Sequence, residues 1–138
     1  MTITFTTESI RLLTLFENMT NVSVKDCLVT KDVIHYVVEE GKIGLAIGKN
    51  GNSIKNIERI VRRKVKVYEY STNLETFVKN LIPQCKEVKT INNGGSIKVE
   101  IKVGKNDRGF VIGRGGEKIK IYKEILKRIH NISDIQVK

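Results

Sequence analysis

Two short segments set paired glycines, a cation and flanking isoleucines at one spacing: Ile47-Gly48-Lys49-Asn50-Gly51 and Ile112-Gly113-Arg114-Gly115-Gly116. This composition suits the binding of a phosphate between two helices. Glycine closing a helix takes positive φ without a Cβ penalty, so the chain can reverse there. The same bare positions let a second backbone come close, and the final glycines, Gly51 and Gly116, are also expected at positive φ. The amides that open the following helix have no intrahelical acceptor and carry the positive end of its dipole, which favours an anion. Lys49 and Arg114 add a cation at each tip, and Ile47 and Ile112 offer an apolar floor. Lys55 and Lys118, on the helices that follow, complete the candidate set.

One Gly-x-x-Gly is weak evidence, because a tight turn needs nothing more. Here the motif belongs to a longer repeat with an offset of 65, from Ile47 to Ile112. At that offset Gly44 falls on Gly109, Leu45 on Phe110, Ile54 on Ile119, Ile60 on Ile125 and Val61 on Leu126. Upstream, Ile34, Tyr36 and Val38 fall on Val99, Ile101 and Val103, while Leu12, Leu13 and Phe16 fall on Phe77, Val78 and Leu81. Self-similarity of this length marks a duplicated structural unit. Other glycine motifs fit poorly. No Gly-Lys-Ser/Thr ending forms a P-loop, and no strand runs straight into the glycines as a dinucleotide fold requires.

Hydrophobic periodicity supplies the elements that must hold these loops. A helix is expected from Thr7 to about Asn18, strands over Val22–Thr30 and Val33–Glu39, and a short helix over Lys42–Ile47. After the first loop come a helix over Asn52–Arg62 and a strand over Lys64–Tyr70. The second unit repeats the order: a helix over Leu74–Ile82, strands over Glu87–Ile91 and Ser96–Val103, and a turn at Asn92-Asn93-Gly94-Gly95. It closes with helices over Asn106–Ile112 and Glu117–His130 and a strand over Ile132–Val137. The expected fold is α+β, an α/β sandwich of two domains at 1–70 and 71–138, each a three-stranded sheet covered by helices.

Twenty-five Lys and Arg against fifteen Asp and Glu give a formal charge of +10, which concentrates polyanions around the chain. The excess is uneven: 1–70 carries 11 basic and 8 acidic side chains (+3), and 71–138 carries 14 and 7 (+7). The second unit should therefore contribute more of the general attraction to phosphate. Tyr36 and Tyr122 occupy apolar repeat positions and are expected in the core, whereas Tyr68 and Tyr70 are ambiguous. With few free aromatics, hydrogen bonding and groove shape should outweigh base stacking.

Catalysis and metal binding find little support. Cys27 and Cys85 form no C-x-x-C pair, and His35 and His130 neighbour no second ligand, so neither a metal nor a cofactor is expected. No nucleophile–base or carboxylate pair stands out, and Asp107 reads as a helix-start residue. An enzyme is therefore not expected. The opening MTITFTTESIRLLTL lacks a basic n-region and a continuous apolar run, so a cytoplasmic chain with reduced thiols and no membrane association is expected.

IGKNGNSI and IGRGGEKI resemble the Ile-Gly-x-x-Gly-x-x-Ile signature of KH domains, whose loop clamps single-stranded nucleic acid. After Gly116 only 22 residues remain, enough for one helix and one strand, so both units resemble the type II, prokaryotic form. Two such units filling the chain are similar to the archaeal NusA family of transcription elongation and termination factors. The resemblance implies RNA contacts at Ile47, Gly48, Lys49, Asn50, Gly51 and Lys55, and at Ile112, Gly113, Arg114, Gly115, Gly116 and Lys118. It implies single-stranded RNA, a nascent transcript, as the partner of a monomeric protein, held along one path across both grooves. Bacterial members also carry a polymerase-binding domain and an S1 domain, for which 138 residues leave no room. RNA polymerase is thus a candidate partner rather than an implied one. A ribosomal or ribosome-assembly protein using the same units is the alternative.

Overall fold

The computed structural model describes residues 6–138, and the chain divides into two compact units between Ser71 and Thr72. In the first, helix α1 (Thr7–Thr20) is followed by strands β1 (Val24–Val29) and β2 (Val33–Val38). Helix α2 (Ile43–Ile47), a single 3-10 turn over Lys49–Gly51, helix α3 (Asn52–Val61) and strand β3 (Lys64–Glu69) complete it. The second runs α4 (Leu74–Leu81), β4 (Cys85–Asn93), β5 (Ser96–Val103), α5 (Arg108–Ile112), a 3-10 turn over Arg114–Gly116, α6 (Glu117–His130) and β6 (Asp134–Val137). The α+β class and the two helix-covered three-stranded sheets are as expected.

Both sheets share one topology. β2 is central, antiparallel to β1 and parallel to β3; β5 is central, antiparallel to β4 and parallel to β6. A parallel neighbour cannot be reached by a hairpin and needs a crossover. In each unit that crossover is the pair of helices with the glycine loop at its corner, so sheet pairing positions the loop.

The core of the first unit explains the order of its elements. Phe16 of α1 and Ile57 of α3 are fully buried with Ile34, Tyr36 and Val38, the alternate residues of β2 that share one face. Phe16 and Tyr36 rings lie 4.1 Å apart, and Tyr36 Oη donates to the Leu12 carbonyl at 2.9 Å. Burial raises the phenol pKa well above its usual value. The other face of β2 is buried as well: His35 Nδ1 stands 3.0 Å from Tyr68 Oη, with the rings stacked. Desolvation, helped by the nearby Lys66 charge, lowers the His35 pKa to about 4 and keeps the imidazole neutral at pH 7. In the second unit Tyr122 is buried with its phenol pKa raised by burial. Tyr36 and Tyr122 are thus core residues, and Tyr68 joins them.

Several boundaries move for local reasons. α1 starts with a reciprocal cap, Ser9 N donating to Thr6 Oγ1 at 3.1 Å and Thr6 N to Ser9 Oγ at 2.9 Å. It runs to Thr20 and stops at Asn21, a left-handed residue at φ 58°. α3 stops at Val61 because Arg62 also takes the left-handed region, at φ 58°. In the β4–β5 hairpin, Asn92 and Asn93 pair with Ile97 and Ser96 as strand residues. Gly94 and Gly95 alone form the turn, at φ 60° and 93°. Two positive φ values match the right-handed twist of the strands, whereas a four-residue turn is not needed.

Candidate nucleic-acid interface

α2 and α5 are held by one buried side chain each, Ala46 and Val111, and end where Gly48 N donates to Gly44 O at 3.0 Å and Gly113 N to Gly109 O at 2.9 Å. Gly48 (φ 81°, ψ 170°) and Gly113 (φ 78°, ψ 169°) then occupy a region essentially closed to other residues. Space is closed too. A Cβ on Gly48 would overlap Ser53 Oγ and lie 2.9 Å from the Ser53 amide nitrogen; on Gly113 it would meet Lys118 Cγ at 2.8 Å. The first glycine of each loop is therefore demanded by both dihedral and packing.

The loops continue alike. Asn50 (φ 55°, ψ 27°) and Gly115 (φ 63°, ψ 19°) are left-handed, and so are Gly51 (φ 72°) and Gly116 (φ 74°). The final glycines hold positive φ as expected, and the residue before each shares it. Gly51 N donates to Gly48 O and Gly116 N to Gly113 O, both at 3.1 Å, while Asn52 N and Glu117 N donate to Lys49 O and Arg114 O. Lys49 and Asn50, and Arg114 and Gly115, form the exposed tips between these bonds. The first amide of the following helix is thus already paired in each loop, with the carbonyl of the tip cation. Successive backbone amides in such a turn form a concavity suited to an anion.

Around the tips, Ile47, Ile112, Ile54 and Ile119 are half-buried, leaving part of each apolar surface open beside the loop. Lys49, Arg114 and Lys55 are exposed. Lys118 is half-buried, with Nζ 3.5 Å from the centroid of the Phe110 ring. The two candidate lysines are not repeat partners: Lys55 falls on Lys120, and Lys118 falls on Ser53. Periodicity gave no signal for the exposed Leu45 and Phe110, at 56% and 60%, one on each short helix two residues before the isoleucine.

Among the described residues no group of three or more His, Cys, Asp or Glu could hold a metal ion, and no helix is long and apolar enough to cross a membrane. Cys27 and Cys85 are buried and not joined in a disulfide, and burial raises the Cys85 pKa. An open groove of about 500 Å³ lies over β4 and β5, lined by Glu87, Lys89, Glu100, Lys102 and Lys138 among others, with no residue of the glycine loops.

A family model described as KH domain matches residues 13–80, a span that contains the first loop and runs into α4. The chain is 33% identical over 134 residues to the "Probable transcription termination protein NusA" of Methanocaldococcus jannaschii, covering 96% of this chain and 73% of that one. To the protein of the same name from Halococcus morrhuae it is 32% identical over 138 residues, covering 99% of both. The crystal structure of APE1850 superposes with a TM-score of 0.80 at 30% identity, over 97% of this chain and 100% of that one.

Proposed function

The chain belongs to the NusA family, and on that premise we propose that it is a single-stranded RNA-binding transcription factor acting in elongation or termination. We read 1–70 and 71–138 as two tandem KH modules of type II, each holding RNA at its own glycine loop. The contacts are Ile47, Gly48, Lys49, Asn50, Gly51 and Lys55 in the first, and Ile112, Gly113, Arg114, Gly115, Gly116 and Lys118 in the second. The nascent transcript is the ligand, RNA polymerase is a candidate second partner, and the protein acts without catalysis as a cytoplasmic monomer.

One observation supports this reading above the others: both loops fold into the same left-handed turn bounded by paired glycines, with an exposed cation at the tip. An RNA phosphate is the acceptor that such a turn and its cation suit, and hydrogen bonds to a charged acceptor are stronger than neutral ones. The half-buried isoleucines give splayed bases an apolar surface. A paired helix offers neither free bases nor the same backbone path, since double-stranded RNA is met mostly by shape and minor-groove contacts. Competition of a labelled unstructured RNA by single-stranded and duplex RNA of equal length tests the proposal. The single strand should compete better; equal or better competition by duplex would leave only general basic attraction.

A further inference from the structure

We propose that Phe110 is a stacking platform for one RNA base beside the second glycine loop, a site that the first module lacks. The inference rests on the RNA-binding reading and adds a base-contacting subsite to it. Phe110 is the one aromatic side chain classed as exposed among the described residues, at 60%. Phe16, Phe77, Tyr36, Tyr68 and Tyr122 are buried and Tyr70 is half-buried, so the exposure of this ring is the exception among the described residues.

A chain of contacts ties the ring to the loop. Lys118 stands with Nζ 3.5 Å from the Phe110 centroid, while its stem packs on Gly113, whose added Cβ would meet Lys118 Cγ at 2.8 Å. One side chain thus separates the ring from the first glycine of the loop. The ammonium occupies one face and is attracted by the ring quadrupole, which holds the ring in place. The remaining exposed surface suits a planar partner. A base held there would lie beside the loop whose tip carries Arg114, so charge and stacking favour the same ligand. Any base offers a π-face, so the subsite should be tolerant of sequence.

The repeat supplies an internal comparison. At the offset of 65, Phe110 and Lys118 fall on Leu45 and Ser53. Leu45 is as exposed as Phe110, at 56%, but has no π-face, and Ser53 has no cation. The two modules therefore share the backbone clamp and differ in the base platform.

The test uses the full chain, a single-stranded oligouridine, and ribose-phosphate oligomers of equal length with abasic sites. Because the chain has no Trp, Phe110→Trp also introduces a unique fluorophore. Wild type should prefer the oligouridine over the abasic oligomer. Phe110→Leu should weaken oligouridine binding by roughly five- to a hundredfold, the range typical of a lost base stack, and leave abasic binding nearly unchanged. Phe110→Trp should retain the preference, and its emission should be quenched by oligouridine but not by the abasic oligomer. Leu45→Ala should move neither ligand by more than about twofold, as expected of a side chain that stacks on no base. Preference for bases that survives Phe110→Leu would overturn the inference while leaving the clamp standing. Failure of wild type to bind either oligomer would refute the RNA-binding reading and this subsite with it.

Discussion

Charge reversal at the loop tips separates a clamp from a basic surface. In Lys49→Asp/Asn50→Asp and Arg114→Asp/Gly115→Asp, each pair removes three units of positive charge where a phosphate would sit. Folding should tolerate the change. All four positions are exposed, Asn50 is already left-handed, and a Cβ on Gly115 meets nothing within 4 Å. Asp visits the left-handed region readily, so the stability cost should stay below about 1 kcal/mol. Binding should respond far more. Two tip amides and a cation per loop suit about two phosphates, or about four over both loops, and each neutralised phosphate contributes a log-log salt slope of roughly 0.7 for single strands. Wild-type affinity should then fall about fiftyfold between 0.1 and 0.4 M salt, and that of a variant with one loop reversed only about sevenfold. Fluorescence anisotropy of a labelled single-stranded RNA at several salt concentrations measures both quantities. Arg11→Asp/Thr14→Asp, on the exposed side of α1, removes the same charge and should weaken binding much less. If this control matches the loop variants in affinity and slope, the glycine loops are not the site.

Glycine substitutions should sort by position. Gly48→Ala and Gly113→Ala should each cost about 2–4 kcal/mol, because both the dihedrals and the space exclude a Cβ. Gly44→Ala and Gly109→Ala, with nothing within 4 Å of the added atom, should be neutral or stabilise by up to ~1 kcal/mol. Urea unfolding compares all four, and an equal cost at the two kinds of site would refute the account. Acid should destabilise the first unit through His35. With a folded pKa of about 4 against 6.5 unfolded, protonation favours the unfolded chain as pH falls below 6.5. Those values give a loss of about 2 kcal/mol at pH 5 relative to pH 8, absent in His35→Gln; parallel pH profiles for the two proteins would count against it. Arg62→Asn should raise stability by about 0.5 kcal/mol, since Asn tolerates the left-handed cap that Arg62 holds at φ 58°. An unchanged urea midpoint would show that the cap carries no strain.

Local chemistry made the loops and their flanking elements legible in sequence. Glycine alone takes positive φ at no steric cost, so the paired glycines after each short helix could be expected there, and Gly48, Gly51, Gly113 and Gly116 all have it, whereas Gly44 and Gly109, inside those helices, do not. Tyr36 and Tyr122 were readable as core because a repeat position carries its apolar neighbours with it. Facing and direction were not readable. Ile60 falls on the fully buried Ile125, yet it is 57% exposed on the last turn of α3, which Arg62 stops early, whereas α6 continues to His130. His35 and Tyr68 stand 33 positions apart and meet only because β2 and β3 pair in parallel register. Lys118 looked like a free cation, but its ammonium rests on Phe110 because α5 and α6 meet at the glycine corner. The first amide of each following helix, too, is not a free donor, since the 3-10 turn consumes the Asn52 and Glu117 N–H groups. Residue type sets what a backbone position can do alone, whereas a side chain's neighbours depend on pairings that only the folded chain brings together.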